Sequence, residues 1–431
     1  MKILWFSLSP CGSARKDNID RLEQGWMISL EDEIKKNDQI DLYVSFISEK
    51  LTTPFYYEKV HYYPIYQKKS SNGIKRVLSR YKKFQNLDKL ILPKIIKIVN
   101  EIKPELIHIH GTEESFGLIQ DFITDIPIVF SIQGLIAPFK EKYFTGISYE
   151  DLKKNESLYD KIRRMSYLYN YKSFCYRAER EKKYLSKANY IFGRTFWDKN
   201  CTLALNPSRK YFILNEILRP EFYNKNWKGF ISNNKIKIIS TVSLGFYKGY
   251  ETILKTASLL LQYTKLDFEW HVIGYDKNSK ILRISEKTTS LKSEECNIML
   301  HGRINAEDLS NLLCNSDIYA HVSHIENSPN AVCEAMLIGI PIIASYAGGT
   351  ASIISHEKEG ILYQDGDPYV LAGTIIQMIQ NPNQTISYAK NAHETAMSRH
   401  DKKNIIEELV NGYQAIIKDY HLTKDAKNKI K

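Results

Sequence analysis

The chain has 431 residues, a length that suits two or three domains with sizeable cores. Its hydrophobic and charged fractions, 43% and 25%, are those of a soluble globular protein and exclude no enzyme class by themselves. Because 60 Lys and Arg face 49 Asp and Glu, the net charge of +11 favours an acidic partner: nucleic acid, an anionic membrane surface or a phosphorylated small molecule.

Cysteine spacing and apolar runs indicate the compartment. The six cysteines form neither a Cys-x-x-Cys pair nor a metal-ligand spacing, so we expect reduced thiols. The amino-terminal run MKILWFSLSP is too short for a signal peptide. No stretch approaches the roughly 20 apolar residues of a spanning helix. These features predict a cytoplasmic protein.

Short apolar runs rich in Ile, Val, Phe and Tyr predict twelve strands. They lie at 2–9, 40–47, 60–66, 106–111, 126–134 and 190–195, then at 235–243, 268–274, 297–304, 317–323, 340–345 and 360–363. Nearly continuous apolar strands that alternate with helical patterns indicate parallel sheets covered on both faces. Two such sets predict an α/β chain of two doubly wound, Rossmann-like domains facing each other across a cleft.

A polar, aromatic connector at 210–229 separates the two strand sets. We therefore divide the chain into an N-terminal domain of residues 1–209 and a C-terminal domain of residues 210–400. Residues 401–431 are an amphipathic helix and a Lys-rich tail, which we expect to cross back to the N-terminal domain.

A histidine stands at the end of one first-domain strand. In LIHIHG (106–111), strand alternation puts His108 and His110 on the same face. A hydrogen-bonded core histidine is the simpler interpretation and is favoured for His108. His110 lies nearer the carboxyl end of the strand, where open α/β sheets form their sites.

The stretch SHIENSPNAVCEAM (323–336) places one glutamate before a helix and a second inside it. We expect Ser328 to be the N-cap, Pro329 to take the first helical position and Gly339 to end the helix in the left-handed region. The helix N-terminus suits a phosphate, and Glu326 and Glu334 could accept hydrogen bonds from ligand hydroxyl groups on either side of that phosphate. A nucleotide sugar has that shape. The alternative is that both acids only complement the helix dipole.

A longer pattern surrounds these two glutamates. The sequence continues as E-NSPNAVC-E-AM-LIG-IPIIAS-YAGG, with EGILYQDGD further on, and resembles the retaining glycosyltransferases of family 4, which have the GT-B fold. The similarity is dense over 317–368 and weaker over nearly the whole chain. It implies that the first domain binds the acceptor and the second a nucleotide-sugar donor. It also implies retention of anomeric configuration and no metal or other cofactor.

The resemblance assigns donor contacts in the second domain. It implies that Glu326 contacts the transferred sugar beside the leaving phosphate and that Glu334 holds the ribose diol. It places further residues around the ligand: the amides of Ser328, Asn330 and Ala331 at the phosphate and sugar, and Gly348 and Gly349 in a turn that passes close to the ligand. A plain tight turn is the alternative for the glycine pair.

The resemblance also assigns cations and acceptor-side residues. Lys248 before Gly249 matches the family's diphosphate-binding Lys-Gly, but the Arg usually found upstream is missing here. Arg303 and Arg194 are candidates for the second cation, although either could be a surface arginine. The implied acceptor side comprises His110, which would face the sugar, Gly25 before Trp26, Gly134 and Arg194.

Positive charge is concentrated at 67–99, where Val77, Leu78, Tyr81 and Phe84 could form an apolar stripe beside a basic face. Basic amphipathic segments bind anionic membrane surfaces. A solvated helix face and attraction to phosphorylated ligands are the alternatives. No nucleic-acid-binding motif accompanies the charge, so we do not expect nucleic acid as a partner.

Together these features predict sugar transfer from a nucleotide diphosphate donor to an acceptor hydroxyl. The expected acceptor is a lipid-linked oligosaccharide of bacterial surface polysaccharide synthesis, with the enzyme at the inner leaflet. A nucleotide-sugar 2-epimerase and a non-catalytic scaffold are the alternatives. The Asp-Gly-Asp at 365–367 fits a metal-binding pattern, but we expect a surface loop there and no metal site.

Overall fold

The computed structural model describes residues 1–16, 25–67, 84–230 and 235–430, with side chains from residue 88 in the third range and up to residue 426 in the last. Within these ranges the strands form two sheets. The first contains β1 Lys2–Ser7, β2 Asp41–Ser48, β3 Phe55–Tyr57, β4 Val60–Tyr66, β5 Leu106–His110, β6 Ile128–Ser131, β7 Tyr190–Gly193 and β8 Lys210–Ile213. The second contains β9 Ile236–Thr241, β10 Phe268–Ile273, β11 Ile298–Gly302, β12 Ile318–His321, β13 Ile342–Tyr346 and β14 Ile361–Gln364.

Both sheets are doubly wound, as the sequence predicted. The first has the order β3-β4-β2-β1-β5-β6-β7-β8 and is parallel except for β3, which pairs antiparallel with β4. The second has the order β11-β10-β9-β12-β13-β14 and is parallel throughout. Each of the twelve predicted strands is present, most of them shorter at the ends. The two edge strands of the first sheet, β3 and β8, were not among the predicted strands.

Helices cover both faces of the sheets. They are α1 Ser13–Lys16, α2 Trp26–Ile34, α3 Phe84–Ile102, α4 Ile136–Glu141, α5 Tyr149–Asn155, α6 Leu158–Ile162, α7 Tyr167–Leu185, α8 Phe196–Leu205, α9 Tyr250–Tyr263, α10 Lys280–Thr289, α11 Ala306–Cys314, α12 Asn330–Ile338, α13 Pro368–Gln380, α14 Pro382–Arg399 and α15 Lys402–Ile430. No described helix combines the length and the apolar content that a membrane crossing needs.

Two segments connect the two halves. The strand Lys210–Ile213 pairs with β7, so the first sheet continues past the division made at residue 210. The last helix, α15, packs on the first sheet through Leu409 and Tyr413, although it follows the second domain in the chain. The Tyr413 hydroxyl accepts a hydrogen bond from Trp5 Nε1 at 2.8 Å and lies 2.7 Å from His108 Nδ1. The crossing is therefore held by apolar packing and by a buried polar chain.

The connection between β6 and β7 is longer than a single crossover helix. It carries α4, α5, α6 and α7 over residues 136–185. Ile147 and Leu152 from this connection are buried in the core of the second domain, beside Ile253 and Leu282. The first half of the chain thus supplies part of the second hydrophobic core, and the connection spans the cleft.

The packing of α15 allows a stability test. Leu409 is fully buried against the first sheet, so Leu409→Ala should lower the free energy of unfolding by about 2–5 kcal/mol through lost burial and a cavity. Urea denaturation followed by circular dichroism measures the change. Leu422→Ala on the same helix is the control, because Leu422 is 61% exposed and its loss should change stability by less than about 0.5 kcal/mol. Equal effects of the two substitutions would contradict the docking of α15.

Candidate active site at the interdomain cleft

Three turns converge at the carboxyl edge of the second sheet, and glycines allow their backbones to come into direct contact. Gly249 has φ +77°, and a Cβ there would lie 2.0 Å from the Val322 carbonyl oxygen. Gly348 has φ +55°, and its Cβ would lie 1.9 Å from the Glu326 carbonyl oxygen. A Cβ on Gly349 would lie 2.1 Å from the Asn327 oxygen. No other residue type fits at these contacts, so the glycines set the position of the loop after β12.

This loop brings Glu326 to Lys248. The Lys248 ammonium donates to Glu326 Oε1 in an ion pair that is largely withdrawn from solvent. The two turns are also joined by a backbone bond from the His324 N–H to the Tyr247 carbonyl, 2.8 Å. Burial works against the charge on each partner, but their mutual attraction is stronger. It raises the pKa of Lys248 and lowers that of Glu326. Both side chains are therefore charged at neutral pH.

His321 lies beside this ion pair at the end of β12. Its side chain is 3% exposed, and neither ring nitrogen has a hydrogen-bond partner among the described residues. Burial lowers the pKa of His321 to about 4, with Glu326 acting in the opposite direction. A neutral imidazole with two free nitrogens next to a charged pair can hydrogen-bond to a polar ligand.

The second glutamate has a partner of its own. Arg219 Nε and Nη2 donate to the two oxygens of Glu334 at 2.7 and 2.8 Å, a bidentate pair. Burial still raises the pKa of Glu334 above its usual value, even with Arg219 in contact. Arg219 lies in the interdomain connector, and Glu334 lies one turn inside α12. The connector therefore fixes where this carboxylate points.

A cavity of about 380 Å³ opens between the Arg219–Glu334 pair and the first domain, and the Lys248–Glu326 pair does not line it. Two first-domain residues line it, Gly25 and Trp26. The second domain contributes the rest: Arg219, Thr241, Val242, Ile273, Gly274, Arg303, Ile304, Leu309, Asn330, Ala331 and Glu334. Five residues that sequence analysis placed in the site, Gly25, Arg303, Asn330, Ala331 and Glu334, thus share one cavity. A volume of this order holds a nucleotide-sized ligand.

The start of α12 differs from the prediction. The helix begins at Asn330 with Pro329 in the N-cap position and no side-chain cap. Ser328 does not cap it, because its hydroxyl donates instead to the buried Glu216 carboxylate at 2.6 Å. The predicted N-cap was therefore wrong. The consequence is that, within the described part of the chain, no side-chain hydrogen bond caps the helix N-terminus where Asn330 and Ala331 line the cavity. The predicted left-handed end at Gly339, φ +75°, is confirmed.

Asn327, next to Glu326, joins the two domains. Its Oδ1 accepts from the Thr195 hydroxyl at 2.6 Å. Its Nδ2 donates to Asp198 Oδ2 at 3.0 Å and to the Gln133 carbonyl at 3.2 Å. The loop that carries Glu326 is thus bound directly to the carboxyl ends of β6 and β7.

Arg194 precedes Thr195 in the chain and does not line the cavity. Its guanidinium stacks over the Trp26 ring at 4.3 Å, and its Nε lies 3.4 Å from Glu216 Oε2. Burial raises the pKa of Glu216, but nearby positive charges, of which Arg194 has the largest effect, lower it to about 2. Of the two candidate second cations, Arg303 therefore faces the cavity, while Arg194 is engaged elsewhere.

His110 and Gly134 lie at the first-domain edge. His110 is buried beside His108 and Trp5, with ring centroids at 3.7 and 4.6 Å, and 6.2 Å from the Trp26 ring that lines the cavity. Both of its ring nitrogens lack a hydrogen-bond partner among the described residues. Burial lowers its pKa well below the usual value. A Cβ on Gly134 would lie 3.7 Å from the Phe139 ring.

The Asp-Gly-Asp motif has a structural explanation. Asp367 is the N-cap of α13 and accepts from the N–H groups of Tyr369 and Val370. Asp365 lies 3.4 Å from His324 Nδ1, while His324 Nε2 lies 2.7 Å from Glu251 Oε1. The motif therefore caps a helix and helps to hold the loop before Glu326.

One other group of possible metal ligands occurs among the described residues: Glu216, Cys333 and His400, whose ligand atoms lie within 4.8 Å of one another. The Glu216 carboxylate already accepts from Ser328 and faces the Arg194 guanidinium. A metal cation bound there would be repelled by the positive charge of the Arg194 guanidinium. The donor set thus fits an interdomain hydrogen-bond cluster better than a metal centre.

Sequence analysis did not identify Arg219, His321 or Asn327 as site residues. Arg219 lies in a connector without a motif, and its partner is 115 residues away. Asn327 and His321 both lie in the region of dense family resemblance, but nothing in the pattern names their contacts. For His321, its place at the carboxyl end of a strand is the one signal that could have indicated it.

The His324 contacts make stability depend on pH. Burial lowers the pKa of His324, but Glu251 and Asp365 raise it above the ordinary value of about 6.5. The contribution of protonated His324 and its two carboxylate partners to the free energy of unfolding is therefore full below that value, and it is lost as pH rises through the folded-state pKa. The stability difference between wild type and His324→Gln should shrink from pH 6 to pH 9 in urea denaturation. His356→Gln, at a surface histidine, is the control. A difference that grows with pH would contradict this assignment.

Comparison with known proteins identifies the second domain. The sequence profile of the family described as "Glycosyl transferases group 1" matches residues 222–395. The amylovoran biosynthesis glycosyltransferase AmsK of Erwinia amylovora is 25% identical over 203 residues, covering 45% of this chain and 49% of AmsK. The N,N'-diacetylbacillosaminyl-diphospho-undecaprenol alpha-1,3-N-acetylgalactosaminyltransferase of Campylobacter jejuni is 23% identical over 44% of this chain and 57% of its own. The chain thus spans about half the length of these relatives.

Solved structures match over nearly the full length. Sucrose-phosphate synthase of Thermosynechococcus elongatus has a TM-score of 0.68 at 14% identity and covers 97% of this chain and 99% of its own. HepE of Anabaena, solved in complex with UDP, has a TM-score of 0.62 at 17% identity and covers 96% and 100%. These identities establish the fold alone. With the two doubly wound domains, these matches show that the chain has the GT-B fold, and its residues 222–395 are similar to the group 1 glycosyltransferases.

Proposed function

We propose that this protein transfers a sugar from a nucleotide diphosphate donor to an acceptor hydroxyl with retention of anomeric configuration. The observation that supports this most is the arrangement around one cleft. The Arg219–Glu334 pair lines the cavity with the α12 N-terminus, which has no side-chain cap, and the Lys248–Glu326 pair lies on the neighbouring turns at the same edge of the second sheet. This order of groups suits a sugar, a diphosphate and a ribose.

The proposed donor lies along this order. Its ribose diol bonds to the Glu334 carboxylate, which Arg219 orients. Its diphosphate meets the amides at Asn330 and Ala331, which the helix dipole makes favourable for an anion. Its sugar hydroxyls bond to Glu326. HepE, a protein of the same fold, binds UDP, and this supports a nucleotide ligand for the cleft.

Donor binding then exchanges partners at the ion pair. In the structure Lys248 neutralises Glu326. An arriving diphosphate offers Lys248 a stronger negative charge, and the sugar hydroxyls offer Glu326 replacement hydrogen bonds. Neither buried charge is left without a partner, which would otherwise cost several kcal/mol. His321, neutral beside the pair, donates or accepts a further hydrogen bond.

The proposed chemistry is electrostatic. Negative charge grows on the leaving diphosphate as its bond to the sugar breaks, and Lys248, Arg303 and the helix amides stabilise that charge. The leaving phosphate oxygen takes the proton of the acceptor hydroxyl, which attacks from the same face of the sugar. This route requires neither a separate protein base nor a metal ion.

The first domain supplies the proposed acceptor side, at Gly25, His110 and Gly134. A polysaccharide-synthesis relative and one whose name includes diphospho-undecaprenol support a lipid-linked sugar as the acceptor. We propose that the enzyme works at the inner leaflet, where the basic segment 67–99 meets anionic lipid. Residues 68–83, and with them Val77, Leu78 and Tyr81, lie outside the described residues, as does the side chain of Phe84.

The two glutamates should fail in different ways. Glu326→Gln should lower kcat about 10²- to 10³-fold while donor binding persists, because its contacts stabilise the transferring sugar. Glu334→Gln should weaken donor binding about tenfold, because a charged partner of the ribose and of Arg219 is lost. Radiolabelled sugar transfer measures the first effect and calorimetric titration the second. Glu357→Gln, with a side chain 62% exposed, is the control and should match wild type.

Donor identity and the rival functions are tested together. A thermal-shift screen against UDP-, GDP-, ADP- and TDP-sugars should raise the melting temperature with one nucleotide. Turnover with that donor should require an acceptor and should survive EDTA. Donor consumption that forms a 2-epimer without acceptor would instead establish the epimerase. If the protein neither binds nor turns over any nucleotide sugar, the remaining alternative is a non-catalytic scaffold.

A further inference from the structure

The connection between β6 and β7 exposes an unusual group of apolar side chains. Leu158, Tyr159, Ile162 and Met165 are 76%, 61%, 66% and 44% exposed, and we call them the apolar patch. Leu158 and Ile162 follow the i, i+4 spacing of one face of α6, and Met165 lies in the turn after the helix. Single exposed apolar residues are common on proteins, but four within eight residues mark an interaction surface.

The patch is held in place by its surroundings. Ser157 caps α6 by accepting from the Asp160 N–H, and Asp160 forms an ion pair with Lys280 of the second domain. On the other side, Glu156 accepts from the Leu168 N–H at 2.7 Å. Because both flanks are fixed, the apolar side chains project from a defined part of the protein surface.

Basic groups surround the patch. Between Ser157 and Met165 the chain has three bases and one acid, and that acid, Asp160, is already neutralised by Lys280. Lys161 is exposed, and the Arg163 guanidinium stacks over the Tyr159 ring at 4.3 Å. An apolar face rimmed with positive charge complements a surface that is apolar inside and anionic at its rim.

The segment that follows the patch contacts a turn of the candidate site. Two residues after Met165, the Tyr167 ring packs against Phe246 at 5.0 Å, and Phe246 belongs to the turn that carries Lys248. The patch is therefore joined, through Tyr167, to the turn that carries Lys248.

From this geometry we infer that the apolar patch and its basic rim dock the protein on an anionic lipid bilayer. Leu158 and Ile162 enter the boundary between headgroups and acyl chains, and Lys161, Arg163 and Arg164 meet the lipid phosphates. This contact is separate from segment 67–99, and it deepens the proposed function, on which it rests, by orienting the cleft toward a lipid-linked acceptor.

The test is flotation of the full chain with vesicles of phosphatidylcholine, with or without phosphatidylglycerol. Wild type should bind the anionic vesicles, and Leu158→Ser/Ile162→Ser should lower the partition coefficient at least about tenfold, because two apolar side chains no longer enter the bilayer. The control is Ile386→Ser/Leu422→Ser, at residues 45% and 61% exposed elsewhere, which should bind within about twofold of wild type.

Salt and a second variant separate this surface from the basic segment. High salt screens charge but not apolar contact, so part of the wild-type binding should persist while binding of the patch variant vanishes. Lys75→Glu/Arg76→Glu should retain that salt-resistant part. Equal binding of wild type and the patch variant would overturn the inference. So would light scattering that shows a patch-dependent dimer without vesicle binding, since a second copy would then cover the patch.

Activity with a soluble acceptor keeps the two proposals apart. The patch variant should transfer sugar to it at the wild-type rate, since the patch contacts neither donor nor cleft. Patch-dependent vesicle binding by a wild type that turns over no donor would refute the proposed function and still support the docking surface.

Discussion

The arrangement of the site depends on direct contact between backbones at the carboxyl edge of the second sheet. Gly249 packs on the carbonyl of Val322, Gly348 on that of Glu326, and Gly349 on that of Asn327. Any side chain at these positions would separate the turns by more than an ångström. The contact delivers the Lys248 ammonium to the Glu326 carboxylate and positions α12 against the cavity. Without it, the charged groups would remain on loops with no common position.

The two glutamates of the site differ in electrostatics, and the difference comes from their partners. Lys248 overcomes the effect of burial on Glu326, so that carboxylate stays charged and is paired through one oxygen with a single ammonium. Glu334 is gripped by both arms of the Arg219 fork, a planar contact that restricts its direction. One carboxylate is thus ready to change partners, while the other is fixed. That contrast suits a site where one end of a ligand reacts and the other end is held.

Both domains contribute to the cleft, and several contacts cross it. Asn327 bonds to Thr195, Asp198 and Gln133, so the loop of Glu326 is tied to the first sheet. The connection between β6 and β7 adds Ile147 and Leu152 to the second core, and α15 returns to pack on Trp5 and its neighbours. Because these links come from three separate segments of the chain, the relative position of the halves depends on packing as well as on the connector.

The sequence by itself determined the positions of twelve strands, the two doubly wound domains and the helix end at Gly339. These features follow from local rules: apolar runs, helical periods and the left-handed preference of glycine. It also indicated the groups at Lys248, Glu326 and Glu334, because their motif lies within one continuous stretch or at a recognisable turn.

Only the tertiary structure decided which partners those groups have. Arg219 meets Glu334 across 115 residues, Thr195 meets Asn327 across 132, and Ser328 leaves its helix cap for Glu216, 112 residues away. Such contacts depend on how separate elements pack. A serine hydroxyl that could cap a helix donates to a buried carboxylate instead when packing brings the two groups within hydrogen-bond distance. Local sequence patterns do not predict these partners, because the distances between the groups are set only when the two domains pack together.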